Sequence, residues 1–308
     1  MYSYTHAANG GGWVLASTLT GTGTAAYYFG SCLDISADGT TLAVGESGGD
    51  FVWLYTGTPG TGVWTLQSKI LQTDASFVGA VKFGSACALS ANGNTLAIGA
   101  TGHSSDQGGL VVFGRSAGVW SMQSSGILAP GSAGSKLGWT IAINAAGDRI
   151  ATGAPFDSAQ GAPIGAVYIF TRDASLVWSY RHRSLPTGST LPSSRGYGYG
   201  LDMSATGDTL VVGAEGEMMS GVQTGAWWHF EWNSGTRVFL QVGAKKSPPG
   251  LLSGARVGRS MAIAADGQTV AGSHTGNFFA PSHDIAGRGS ACCVLGLTCL
   301  AFVPALLL

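Results

Sequence analysis

Charge is scarce in this sequence. Among 308 residues there are 15 Lys and Arg and 16 Asp and Glu, only 10% charged, leaving a formal charge of −1. Soluble domains usually carry about a quarter charged residues. No basic stripe runs along the chain, so the electrostatic footprint of a nucleic-acid binder is missing. The same balance provides nothing to hold an acidic membrane surface. Cysteine is sparse too: the five residues do not make a disulfide framework or a zinc spacing. Cys32 and Cys87 lie in strand-like segments and read as small buried residues. The opening stretch Met1 to His6 has neither the basic nor the apolar region of a signal peptide.

Catalytic signatures are absent as well. His6, His103, His182, His229, His274 and His283 are isolated, and none stands beside a Glu in a zinc-protease spacing. There is no Gly-x-Ser-x-Gly elbow in a strand-to-helix setting. Gly196-Tyr-Gly-Tyr-Gly200 is not the spacing of a dinucleotide loop. With no convergent acid, base and nucleophile, the expectation is a protein that is not an enzyme.

Glycine is abundant, at 50 residues without a three-residue period, which excludes collagen. Hydrophobic residues, at 45%, suffice for a large core. Gly with Val, Ala, Thr and Trp points to short strands joined by tight turns.

The chain repeats itself. Phe83 to Ala100 (FGSACALSANGNTLAIGA) matches Phe29 to Glu46 (FGSCLDISADGTTLAVGE), and further copies begin at Leu137, Tyr197 and, more weakly, Val257. The turn glycines Gly39, Gly93, Gly147, Gly207 and Gly267 stand 54, 54, 60 and 60 residues apart. A second block, Gly165-Ala-Val-Tyr-Ile-Phe170, recurs near Asp50, Gly109 and Gly225; a third, Val119-Trp-Ser-Met-Gln123, recurs at Val63 and Val177. Tyr2-Ser-Tyr4 and Trp13-Val-Leu15 match these two blocks ahead of the first full copy.

Each repeat holds four apolar runs of four to seven residues, strand lengths rather than helix lengths. Asp-Gly and Asn-Gly between the first two runs supply the positive φ of a hairpin. Third runs such as Val167-Tyr-Ile-Phe170 are apolar on both faces, as expected of strands covered on both faces. Four antiparallel strands per repeat make one propeller blade. The expected fold is all-β, a propeller of about five blades over residues 1–280. The half copy at 1–20 would supply outer strands and the copy from 257 inner strands, either closing a five-bladed ring or belonging to a fragment of a seven-bladed one.

These blocks resemble the FG-GAP repeat of integrin α-subunit propellers. Phe29-Gly30 and Phe83-Gly84 carry one half of the signature and Gly153-Ala-Pro155 the other. The resemblance implies an extracellular or surface-attached module that binds protein or glycan through its loops. The alternatives are an enzyme, hydrolase or lyase, with its site at the mouth of the central channel, or the propeller part of a larger protein. Many members of that family bind calcium in the first hairpin. Here Asp34, Ser36 and Asp38 come closest to a ligand set, but Leu42 stands near where the closing acid belongs. The other loops are poorer, so no metal or cofactor is expected.

The longest and most varied loops join the second and third runs, and loops on a rigid scaffold are where binding usually sits. Their acids Asp106, Asp157, Glu215 and Glu217 are candidate ligand contacts. Trp227 and Trp228, with Trp232, are candidates for a sugar-stacking surface, although blade packing explains them too. Residues 281–308 form a tail, uncharged from Ala291 onward. Its last 18 residues nearly match the thickness of a bilayer core. A membrane anchor and a misread gene end both fit this tail.

Overall fold

A computed structural model describes residues 1–6, 12–21, 27–79, 81–127, 132–158, 161–187 and 195–274. The apolar tail lies outside the described residues. The fold is an all-β propeller.

An outer half-blade comes first, β1 (Tyr2–His6) and β2 (Trp13–Thr18). Blade 1 is β3 (Phe29–Ile35), β4 (Thr41–Glu46), β5 (Phe51–Gly57) and β6 (Trp64–Leu71). Blade 2 is β7 (Phe83–Leu89), β8 (Thr95–Ala100), β9 (Leu110–Ser116) and β10 (Val119–Ile127). Blade 3 is β11 (Ile141–Ile143), β12 (Arg149–Ala154), β13 (Ala166–Arg172) and β14 (Trp178–Ser184). Blade 4 opens with β15 (Arg195–Met203) and β16 (Thr209–Gly216). The small hairpin β17 (Met218–Met219) and β18 (Val222–Gln223) then precedes β19 (Ala226–Asn233) and β20 (Val238–Gln241). An inner half-blade, β21 (Met261–Ile263) and β22 (Val270–Gly272), follows.

Every full blade is a four-stranded antiparallel meander, for example β3-β4-β5-β6. The half-blades remain separate two-stranded sheets, so among the described residues the two ends are not paired into a fifth blade. No helix among the described residues is long and apolar enough to cross a membrane.

The repeated residues make the contacts between blades. A Cβ on Gly153 would fall on the carbonyl oxygen of Gly198 in the next blade. The same approach recurs between Gly45 and Gly84, Gly99 and Gly138, and Gly213 and Gly258. Only glycine lets two backbones come this close. At the opposite end the hairpin turns join in a ladder. The Ala37 N–H donates to Ala91 O (2.9 Å), Ala91 to Ala145 (3.2 Å), Ala145 to Ala205 (2.9 Å) and Ala205 to Ala265 (3.0 Å). Two signatures of the repeat, the paired glycines and the Ser-Ala-x-Gly turn, are therefore the two seams of the ring.

The core lies between the sheets. Val167 and Ile169 of blade 3 pack on Tyr197, Leu210 and Trp228 of blade 4. On the other face, Tyr168 and Phe170 pack on Ala97, Leu110 and Val112 of blade 2. Both faces of β13 are thus buried, which is why its sequence does not alternate.

One cysteine expectation is corrected. Cys32 and Cys87 form a disulfide between the innermost strands of blades 1 and 2, with Cα atoms 5.7 Å apart. They lie 55 residues apart in sequence but on neighbouring strands, a proximity that only the ring creates.

Candidate functional site

The innermost strands β3, β7, β11, β15 and β21 neighbour one another in order around the axis. The ladders of β3, β7 and β15 break near the glycine seam. The register shifts between Phe29 and Leu33, between Phe83 and Cys87, and between Tyr197 and Leu201. A bulge of this kind re-aims its side chains. The residue following the seam glycine is Ser31, Ser85 and Tyr199 at these three breaks, and Trp139 and Arg259 at the same repeat position just ahead of β11 and β21.

On the first two blades this position is small. The Ser31 hydroxyl donates to Gly84 O (2.8 Å), beside the disulfide. Thereafter the residues are large and touch one another. Trp139 meets Tyr199 at 5.1 Å between ring centroids and Phe156 at 5.6 Å, edge-on. The Arg259 guanidinium stands 5.3 Å over the Tyr199 ring and donates to Glu215 Oε2 at 3.1 Å. All four of Trp139, Tyr199, Arg259 and Glu215 are partly exposed. Burial pushes the Tyr199 phenol above its ordinary pKa; the Arg259 charge opposes this and the Glu215 charge adds to it. The phenol therefore stays protonated at neutral pH and is available as a donor.

This arrangement brings an aromatic pair, a phenolic donor, a guanidinium and a carboxylate together on adjoining blades. Such groups can stack on the apolar face of a sugar ring, polarise a carbonyl oxygen and take a proton from water.

The residues singled out from sequence are scattered around this site. Glu215 belongs to it. Asp106, in a left-handed backbone conformation (φ 61°), is half exposed and pairs with Lys136 at 3.6 Å. Lys136 in turn lies 6.0 Å from the Phe156 ring, next to Trp139. Asp157 and Glu217 are buried. The Asp157 carboxylate accepts the Tyr168 hydroxyl (2.5 Å) and lies 3.7 Å from Arg183; Glu217 pairs with Lys245 at 2.5 Å. Their carbonyls receive the N–H groups of Gly165 and Gly225, so both residues hold their loops closed.

The tryptophan cluster does not form one surface. Neighbours on a strand point to opposite faces. Trp228 is buried against Tyr197, with its indole N–H donated to Thr187 O (3.1 Å). Trp227 is half exposed with Lys246 5.6 Å over its ring, and Trp232 lies under the Arg149 guanidinium at 3.9 Å.

Asp34 and Asp38 do not share a ligand site. Asp34 accepts the N–H groups of Ile35 (2.8 Å) and, across the blade junction, Leu89 (2.6 Å). Asp38 caps its own turn, accepting from Ser36 (2.6 Å) and from the Thr40 N–H (2.9 Å). Asp202 repeats the Asp34 arrangement, holding the N–H groups of Met203 and Ile263 at 2.8 Å. Burial raises both Asp34 and Asp202 to about 6, and the charge of Asp202 adds to the rise at Asp34. Among the described residues no group of three or more His, Cys, Asp or Glu could hold a metal ion.

Trp139, Tyr199 and Arg259 were missed in the sequence. The signal was present: they break the repeat at one fixed offset, one residue past the seam glycine, where the first two copies have Ser.

No protein-family profile and no curated protein sequence matches the chain. Solved structures do. A Bacteroides uniformis protein described as a "putative 6-phosphogluconolactonase" superposes with a TM-score of 0.54 at 12% identity over 81% of this chain. A Bacteroides fragilis protein of the same description gives 0.54 at 12% over 80%. A Desulfotomaculum acetoxidans protein of unknown function gives 0.55 at 12% over 83%. The chain spans 64% of the length of each. At these identities the likeness shows the propeller fold. The expectation of a chain that is not an enzyme is corrected to this extent: two structures of its fold are described as putative 6-phosphogluconolactonases. A missing catalytic motif does not exclude a site, since a propeller site is assembled from residues on different blades rather than from one sequence segment.

Proposed function

We propose that the chain is a hydrolase that opens a sugar-derived lactone at the end of the axis where the glycine seam lies. The observation that carries this reading is the run Trp139, Tyr199, Arg259 at one repeat position, directly after the seam glycine of three successive copies, with Glu215 on Arg259 at 3.1 Å. Trp139 and Tyr199 receive the C–H face of the ring. Arg259 and the Tyr199 hydroxyl donate to the carbonyl oxygen as negative charge grows on it. Glu215 takes a proton from the attacking water. The ring C–O bond then breaks, and the departing oxygen takes that proton to give the hydroxy acid. The lactonase names attached to structures of the same fold support this choice of bond.

The Cys32–Cys87 disulfide supports placing the chain in an oxidising compartment, such as the cell exterior.

Glucono-1,5-lactone opens by itself, so the test is the rate above that background in a pH-stat. The chain accelerates opening, and Glu215→Gln and Arg259→Ala each lower kcat/KM about 100-fold, the size expected for loss of a general base or oxyanion donor. No acceleration by the unaltered chain, or full activity in both variants, overturns the reading.

A further inference from the structure

The outer half-blade carries core residues that nothing in the described structure covers. In each full blade one second-strand residue faces one third-strand aromatic: Leu42 faces Tyr55, Leu96 faces Phe113, Ile150 faces Phe170 and Leu210 faces Phe230. These aromatics are 5%, 3%, 0% and 3% exposed. Three of them adjoin a register shift toward the fourth strand, and in β1 that shift falls at Tyr4. Tyr4 therefore stands in the core place, yet it is 54% exposed. Trp13 stands where Trp178 is 8% exposed in blade 3, and it is 61% exposed.

The inner half-blade has the complementary deficit. Val270 occupies the place of Leu42, Leu96, Ile150 and Leu210, but among the described residues β22 has no third strand beside it. Along that edge Trp227, His229, Glu231, Gln268 and Val270 line a cavity of about 290 Å³. The two hairpins are anchored on different blades. The Ser3 and Ser17 hydroxyls donate to Gly62 O of blade 1, whereas the Ile263 N–H donates to Asp202 of blade 4.

We propose that this surface is a self-association site: the β1–β2 hairpin of one copy adds to the β22 edge of a second copy and completes a four-stranded blade. The register follows from the full blades. Tyr4 faces Val270, and Thr5 faces Thr269, as Phe230 faces Leu210 and Glu231 faces Thr209. A second copy is the occupant because each half-blade carries what the other lacks, yet within one copy they remain in separate two-stranded sheets. Open edges of this kind pair readily. A contact between two different patches is head-to-tail, so it builds a closed assembly or a filament.

The test uses the full chain with Cys292→Ser, Cys293→Ser and Cys299→Ser, leaving the Cys32–Cys87 disulfide intact. One preparation carries Thr5→Cys and another Thr269→Cys. Mixed and oxidised, they form a disulfide-linked dimer that neither forms alone, and Tyr4→Arg in the first removes at least nine-tenths of it. Sedimentation of the unaltered chain shows a mass that rises with concentration. A chain carrying both cysteines, oxidised at high dilution, reports pairing within one molecule. An efficient intrachain link without the mixed dimer overturns the proposal in favour of ring closure. Neither link, with a constant monomer mass, overturns it outright.

Discussion

On blades 1 and 2 the inner-strand bulge carries Ser31 and Ser85, and a disulfide ties the two strands together. On blades 3 and 4 and the inner half-blade the same repeat position carries Trp139, Tyr199 and Arg259. The backbone is alike in both regions: the same glycine approach and the same turn ladder, with a break in register on blades 1, 2 and 4. The first region therefore shows what the scaffold needs, and the second shows what has been placed on it. Where a position repeats, blade packing explains it. Where a position departs from the repeat on consecutive blades, chemistry is the better explanation.

The sharpest way to break this comparison is at the seam. Gly45→Val and Gly153→Val put a side chain onto a carbonyl of the next blade in the first and second region respectively. Overpacking costs 1–3 kcal/mol and more where backbone must move, so each variant is expected to lose about 3 kcal/mol or fail to fold. Thermal unfolding checks it. If only one of the two is damaged, the scaffold is not shared.

Removing the disulfide with Cys32→Ser and Cys87→Ser should cost about 2–4 kcal/mol through the loop it closes. Denaturant unfolding measures this, and lactone opening should be retained, because the acting residues belong to the other region. Loss of activity with the fold intact would move the site toward blades 1 and 2.

Tyr199→Phe keeps the ring between Trp139 and Arg259 and removes only the donor. Activity should fall about tenfold, the equivalent of roughly 1.4 kcal/mol, with the melting temperature unchanged. An unchanged kcat/KM would leave the phenol no part in the reaction.

A pH-sensitive device is present in both regions. Asp34 and Asp202 have folded pKa values of about 6, above the ordinary value of 3.8. A raised carboxyl binds its proton more tightly when folded. Its contribution is full below about 3.8 and is lost as pH rises through about 6. The chain should lose roughly 3 kcal/mol of stability per carboxyl across that window. Asp34→Asn and Asp202→Asn should each flatten the curve, measured by unfolding at pH 4, 5, 6 and 7. A smaller effect sharpens the link between them: Asp202→Asn should lower the Asp34 pKa slightly, read by NMR titration, because the Asp202 charge is among the causes of its rise. No movement would mean that the two carboxyls do not sense each other.

Much of the fold was legible because a propeller writes its contacts into every repeat. The four runs of each repeat and the hairpin glycines between the first two are legible in the sequence, whereas the approach of Gly153 and its equivalents to a carbonyl of the next blade is not, because that contact lies between sheets. The site was less legible. Asp157 and Glu217 sit in variable loops and carry charge, so they looked like ligand contacts, yet both are buried in ion pairs that hold loops closed. Trp227 and Trp228 are adjacent in sequence and therefore face opposite ways. Arg259 lies in the weakest copy, where attention to the repeat passes over it.

The sequence by itself determined the periodicity, the four strands of each blade and the hairpin turns, because these depend on neighbours a few residues apart. Only the tertiary structure decided that Cys32 meets Cys87, that Arg259 meets Glu215 on the adjoining blade, and that Tyr4 stands bare. Each of these depends on how blades are arranged about an axis, and distances between blades are set by the packing of whole sheets rather than by any local run of residues.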